Sequence, residues 1–289
     1  MDPGVTVMGL VGGLVVGLTG MGGGALMTPL LVLFFNVQPL AAVSSDLVAA
    51  VVMKPVGASV HLRRRTVDLA LVKWLVVGSV PSAFAGVLVL RALGSSEVIQ
   101  DRLKIMLGVA MLIAAGAMAA KRLFDRGREV STVPVVVRPL PTLGIGVVGG
   151  LIVGMTSVGS GSLMIVLLLA FYPQLTARQL VGTDLVQAVP LVLSAAIGHL
   201  LFGDFVFGLT ASLLLGSVPG VYLGARISAR ANDGVIRPIL VTVLTASALR
   251  LLGVPTEVVG GLVAAVAAAG VVFLTGWRRP APALQADPA

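Results

Sequence analysis

Apolar residues run along most of this chain in long stretches, separated by short polar or basic intervals. The runs cover roughly 40–60, 70–91, 105–120, 141–158, 179–202, 205–225, 235–253 and 257–277. Most approach the ~20 residues an α-helix needs to cross a ~30 Å hydrocarbon core. Two others, 25–35 and 162–172, are too short to cross upright. The pattern predicts an all-α polytopic membrane protein with roughly 8–10 transmembrane segments.

The apolar pattern is duplicated. Between Val11–Met27 and Val148–Met164, eleven of seventeen residues are identical at an offset of 137, well beyond chance for two apolar segments. The shared core is a glycine break, Gly17-Leu-Thr-Gly-Met-Gly-Gly-Gly24 in the first copy and Gly154-Met-Thr-Ser-Val-Gly-Ser-Gly161 in the second. Further on, Asp46-Leu-Val matches Asp184-Leu-Val and His61-Leu matches His199-Leu, now at an offset of 138. Gly78-Ser-Val-Pro81 likewise matches Gly216-Ser-Val-Pro219. One inserted residue near position 172 accounts for the change of offset. The chain therefore divides into a first repeat (1–120), a basic linker (121–140), a second repeat (141–256), an extra helix (257–277) and a polar, proline-rich tail (278–289) expected to be disordered.

Charge orients these repeats. Arg63, Arg64 and Arg65, the linker cluster Lys121, Arg122, Arg126, Arg128 and Arg138, then Arg226, Arg230, Arg237, Arg278 and Arg279, can all share one face with Lys73 and Arg178. Arg91, Arg102, Lys104 and Arg250 then lie on the other face. The positive-inside rule makes the richer face cytoplasmic, with the C-terminus inside. On this arrangement the loop after His61 is inside and the loop after His199 outside, so the repeats are inverted. Segments 4–35 and 141–172 become glycine-broken hairpins, re-entrant or half-helical, entering from opposite sides. Matched interruptions in two halves of an apolar chain point to a secondary carrier's binding site.

Composition agrees with a lipid environment. The 289 residues are 57% apolar and 11% charged, against about 25% charged in soluble domains. The formal charge of +8 sits at helix ends, as membrane anchors do, and not as a nucleic-acid-binding face. No cysteine is present, which excludes disulfides and thiolate metal sites. The start, Met1-Asp-Pro-Gly, has no basic n-region, and the first cation is Lys54, so no cleaved signal peptide is expected. No lysine follows a glycine, so there is no Walker A motif, and no H-E-x-x-H occurs. Gly159-Ser-Gly161-Ser162 lacks the strand–turn–helix setting of a nucleophile elbow. The expectation is a protein that is not an enzyme and has no cofactor.

Four groups of residues can carry the chemistry. Gly22, Gly23 and Gly24 lead into the short run 25–35, and Gly159 and Gly161 into 162–172. A helix start exposes unpaired N–H donors and about half a positive charge, which suits an oxyanion. The alternative is that these glycines only let helices pack closely. Thr19, Thr28, Thr156, Ser157, Ser160 and Ser162 would add hydroxyl donors. Asp46 and Asp184, each behind a small hydroxyl residue (Ser45, Thr183), are costly inside a span and so face a partner or cavity, or else cap a helix. Gln187 lies one turn after Asp184 on the same face.

Lys54 is the basic residue placed well inside an apolar run, and Pro55 after it predicts a kink there. Its ammonium can neutralise an anionic substrate, snorkel to the interface or pair with a carboxylate. His61 and His199 each follow a paired aspartate by about 22 Å of straight helix. They are expected at opposite faces, in capping roles.

Gly20-Met-Gly-Gly-Gly24 with Pro29, the Ser45-Asp46 and Thr183-Asp184 helix starts, and His61 with its basic cluster before Val67-Asp68 resemble the TauE/SafE, or sulfite exporter, family. The resemblance covers about residues 5–277. It implies a secondary carrier, expected to export small sulfur-containing anions such as sulfite, sulfoacetate or other organosulfonates from the cell through its plasma or inner membrane. A midplane site would open alternately to each side, with protons as a coupling ion and a homodimer as a possible assembly. A passive anion channel, or a carrier for a different small organic anion, is the alternative. The second repeat departs from the glycine run and has Val166 in place of Pro29, so the two halves are expected to contribute unequally.

Overall fold

The computed structural model describes residues 2–19, 24–93, 97–125, 135–161, 163–172, 174–175, 177–202, 205–228, 241–242, 245–262 and 264–265. The expectations placed on Gly22, Gly23, most of the basic linker, the end of the 257–277 run and the tail lie outside these residues.

Among the described residues the chain is helical, with no strand. The first half carries α1 (Pro3–Thr19), α2 (Gly24–Phe34), α3 (Pro39–Arg63), α4 (Leu69–Leu93) and α5 (Glu97–Asp125). The second carries α6 (Pro139–Thr156), α7 (Leu163–Phe171), α8 (Ala177–Phe202) and α9 (Phe207–Ser228). Local chemistry sets several of the starts. α1, α3 and α6 each begin on a proline, whose missing N–H costs nothing at that position. Asp2 Oδ1 accepts from the N–H groups of Gly4 (2.8 Å) and Val5 (3.3 Å), and Asp68 Oδ1 from those of Ala70 (3.0 Å) and Leu71 (3.1 Å). These are N-caps for α1 and α4.

Among the described residues five helices are long and apolar enough to cross a membrane: Pro39–Arg63, Leu69–Ala92, Pro139–Thr156, Gly182–Phe202 and Phe207–Gly224. The apolar stretch Pro3–Val16 is shorter. Fewer described helices therefore meet the spanning criterion than the eight to ten read from the apolar runs. At about 1.5 Å per residue, α2 and α7 are too short to cross a ~30 Å core. Large exposed side chains such as Val7, Leu69, Leu140, Leu201 and Phe207 face outward, as on a lipid-covered surface.

The two halves exchange partners. α1 packs on α9, and its counterpart α6 packs on α4, the counterpart of α9. The contacts repeat residue by residue. A Cβ on Gly13 would strike the backbone of Ser217, and one on Gly150 the backbone of Ser79. Gly9 lies against Leu213 and Gly146 against Leu75. Glycine at these positions lets two helix backbones approach closely enough for van der Waals packing, which is what associates helices in lipid. In both pairs the contacting numbers rise together, so the paired helices run parallel. α3 and α8 also pack on each other, with Ser44 against His199 and Gly57 against Leu185, so these two equivalent helices run antiparallel.

Pro55 does not interrupt α3, which runs continuously from Pro39 to Arg63. Lys54 stays helical although a residue before proline disfavours that conformation; the carbonyl freed by the missing N–H is tolerated inside a helix packed on its neighbours.

Candidate substrate site

α6 ends at Thr156, and the chain turns through residues 157–161 before α7. Ser157 is left-handed (φ 58°) and its N–H bonds to Val153 O at 2.7 Å. Gly159 (φ 118°) and Gly161 (φ 104°) take up conformations that a side chain would strain. Thr156 closes the turn locally: its Oγ1 bonds the carbonyl of Ile152 (2.7 Å) and accepts from the N–H of Val158 (3.2 Å). This hydroxyl caps the turn.

The first half supplies groups to this turn. Asp46, in the second turn of α3 and fully buried, accepts through Oδ2 from Ser157 Oγ at 2.6 Å and Thr28 Oγ1 at 3.0 Å. Capping is therefore not the role of Asp46, because α3 starts seven residues earlier, at Pro39. Eight residues along the same helix, the buried Lys54 ammonium donates to Ser160 Oγ. Gly24, the first residue of α2, has its backbone against Ser157, where any Cβ would overlap the Ser157 carbonyl. α2, α3 and the 157–161 turn thus meet at one buried polar centre.

α8 contributes differently. Asp184 is also buried and seven residues inside its helix, and its Oδ1 accepts from Gln187 Nε2 at 3.0 Å. Gln187 Oε1 in turn accepts from Ser79 Oγ of α4 at 3.3 Å. Asp46 and Asp184 both lie within electrostatic range of Lys54, but neither makes a direct ion pair with it.

The remaining sequence candidates separate from this centre. Thr183 Oγ1 accepts from the N–H of Asp68 (3.1 Å), tying α8 to the start of α4. Ser45 is buried, and its hydroxyl has no partner among the described residues. Thr19 closes α1; its side chain and Ser162 lie outside the described residues.

His199 corrects an expectation. It is completely buried, not interfacial: Nε2 donates to Gly154 O at 2.8 Å, and Nδ1 pairs with Ser44 Oγ at 2.8 Å. It joins α8 to α3 and to the last turn of α6. His61 is half-buried and pairs with Thr66 Oγ1 at 2.9 Å. The repeat explains the difference, since Ser44 has Gly182 as its counterpart, and a glycine offers His61 no hydroxyl. Ser79 was missed as a site neighbour, although its place in the duplicated Gly-Ser-Val-Pro segment was the available signal.

Among the described residues no group of three or more His, Cys, Asp and Glu could hold a metal ion. The centre offers one ammonium, two carboxylates, hydroxyls and turn N–H groups. That set can hold a small charged solute by hydrogen bonds and charge.

The profile of the sulfite exporter TauE/SafE family matches residues 5–251. The chain belongs to this family. It is 36% identical over 256 residues to the probable membrane transporter protein YjnA of Bacillus subtilis, covering 87% of this chain and all of that relative. A second Bacillus subtilis relative, the probable membrane transporter protein YdhB, is 25% identical over 78% of this chain and 89% of its own length. No solved structure gives a match.

Proposed function

We propose that this TauE/SafE protein is a secondary carrier of small sulfur-containing oxyanions, such as sulfite or organosulfonates, and that it exports them. The observation that carries the proposal is the meeting of Gly24, Asp46 and Lys54 from one repeat with Ser157 and Ser160 from the other. In this reading the anion lies at the 157–161 turn, near the Lys54 ammonium. Turn N–H groups and the Ser160 hydroxyl hold its oxygens. The centre has two carboxylates for one ammonium, so an anion enters favourably only with an accompanying positive charge. A proton is one such charge.

The antiparallel run of the equivalent helices α3 and α8, with parallel pairs on either side, supports an inverted relation of the repeats. Rocking of one against the other would expose the centre to each face in turn. A site whose donors come from both repeats breaks and reforms with such a motion. A channel has no such requirement.

The test is uptake into proteoliposomes of labelled sulfite, thiosulfate and sulfoacetate, with and without a proton gradient. Saturable, gradient-sensitive uptake of one of these anions is expected. Flux that grows linearly with concentration and ignores the gradient would mark a passive channel and overturn the carrier reading.

A further inference from the structure

Three buried side chains join α4 of the first half to α8 of the second. Ser79 Oγ donates to Gln187 Oε1, and Gln187 Nε2 donates to Asp184 Oδ1. Two of the three recur at the same offset of 138 on α3 and α9: Asp46 stands for Asp184, and Ser217 for Ser79. The third does not, because Ala49 stands where Gln187 does. Both atoms that the carboxamide would have satisfied are left over, as is Ser45 Oγ. Among the described residues Asp46 Oδ1 and Ser217 Oγ have no hydrogen-bond partner, and both residues are 0% exposed. α3 packs on α9 as α8 packs on α4, which puts Asp46 and Ser217 on two helices in contact.

An unsatisfied carboxylate oxygen in a low-dielectric interior is among the most costly groups a protein can bury. The other oxygen of Asp46 is already engaged by Thr28 and Ser157, and the Lys54 ammonium by Ser160. Ala49 is shorter than glutamine by a methylene and a carboxamide, and those are the atoms that bridge Asp184 to Ser79. Whatever takes that place must be attractive to a carboxylate and to a hydroxyl oxygen at once. With two buried carboxylates against one ammonium, a positive occupant also balances the charge. Oxygen ligands alone and an excess of one negative charge suit a hard monovalent cation.

We propose that a sodium ion binds between Asp46 Oδ1 and Ser217 Oγ, in the place that the Gln187 carboxamide fills between α8 and α4. The ion makes the α3–α9 network equivalent to the α8–α4 one, with an exchangeable ligand where the latter has a fixed side chain. Binding follows from the hydrogen-bond accounting; the ion's use as the coupling ion rests on the carrier reading above.

The experiment follows thermal unfolding of the purified full chain in detergent, in NaCl against choline chloride at equal ionic strength and fixed pH. A ligand that binds only the folded state raises the Tm in a saturable manner. Wild type is expected to show a sodium-specific rise. Ala49→Gln supplies the carboxamide in cis and is expected to abolish the response while unfolding in choline no earlier than wild type. Ser217→Ala is expected to raise the half-saturating sodium concentration about tenfold or more, in keeping with the loss of one ligand. It also decides the matter if Ala49→Gln does not fold. Equal Tm in the two salts, or a sodium response surviving both substitutions, overturns the site. A response to pH alone, identical in both salts, overturns it in favour of a proton on Asp46. Sodium-stabilised protein that moves no anion in liposomes would sink the carrier reading and leave the ion site standing.

Discussion

Asp46 and Ser157, 111 residues apart in the chain, share a 2.6 Å hydrogen bond between a carboxylate and a hydroxyl, both buried. The aspartate comes from the second turn of a continuous helix in one repeat. The serine comes from the turn that ends a helix in the other. The bond therefore reports the relative placement of the two halves.

Removing the hydroxyl tests that bond. Ser157→Ala leaves Asp46 with Thr28 as its remaining donor. A buried charge losing one of two partners costs on the order of 1–3 kcal/mol. Anion uptake is expected to fall about tenfold, and the Tm to drop. Ser157→Thr keeps the hydroxyl and is expected to recover most of the uptake, measured in the same liposomes.

Glycine packing gives a contrast between two sites. Gly24→Ala forces a Cβ into the Ser157 carbonyl, whereas a Cβ on Gly144 meets nothing. The first substitution is expected to destabilise the protein or displace the 157–161 turn, lowering uptake by more than about tenfold. Gly144→Ala is expected to match wild type in both. Similar behaviour of the two variants in detergent unfolding would contradict the contact.

Charge at the centre is tested at Lys54. Lys54→Met keeps the apolar stem but leaves Asp46 and Asp184 without their shared ammonium. Uptake is expected to fall about a hundredfold, or ~2.7 kcal/mol, as for removal of a charged donor to an oxyanion. Lys54→Arg keeps the charge and is expected to retain part of the uptake, with a raised KM for the anion.

The histidines should behave unequally. His199→Ala removes two buried hydrogen bonds and leaves Ser44 Oγ and Gly154 O to be re-satisfied. A loss of about 2–4 kcal/mol is expected, by the cost of unpaired buried polar groups and of the cavity. His61→Ala, at a half-buried position, is expected to cost less than about 1 kcal/mol. Tm shifts of equal size would contradict this.

Much of the scaffold was legible along the chain because helices in lipid are local objects. Apolar runs, the glycine breaks and the offsets of 137 and 138 need only the chain itself. Lys54 remains helical before Pro55, since the local preference of a pre-proline residue yields to packing on both sides. The seven-residue distance of Asp46 from its helix start likewise depended on where α3 begins, and an apolar run blurs that boundary. His199 was placed at an interface by length along a helix, a measure that ignores what lies beside it.

The sequence alone determined the class of the protein, its duplication and the identity of its buried ionisable groups, because lipid penalises charge wherever it sits. Tertiary structure decided which of these groups meet. Thr28 and Ser157 converge on Asp46, Ser160 on Lys54 and Ser44 on His199, each joining residues from separate helices. The same packing diverts Thr183 to Asp68 and leaves Asp46 Oδ1 and Ser217 Oγ unpaired. Such pairings depend on helix register and close backbone approach at glycines, which one-dimensional patterning does not encode.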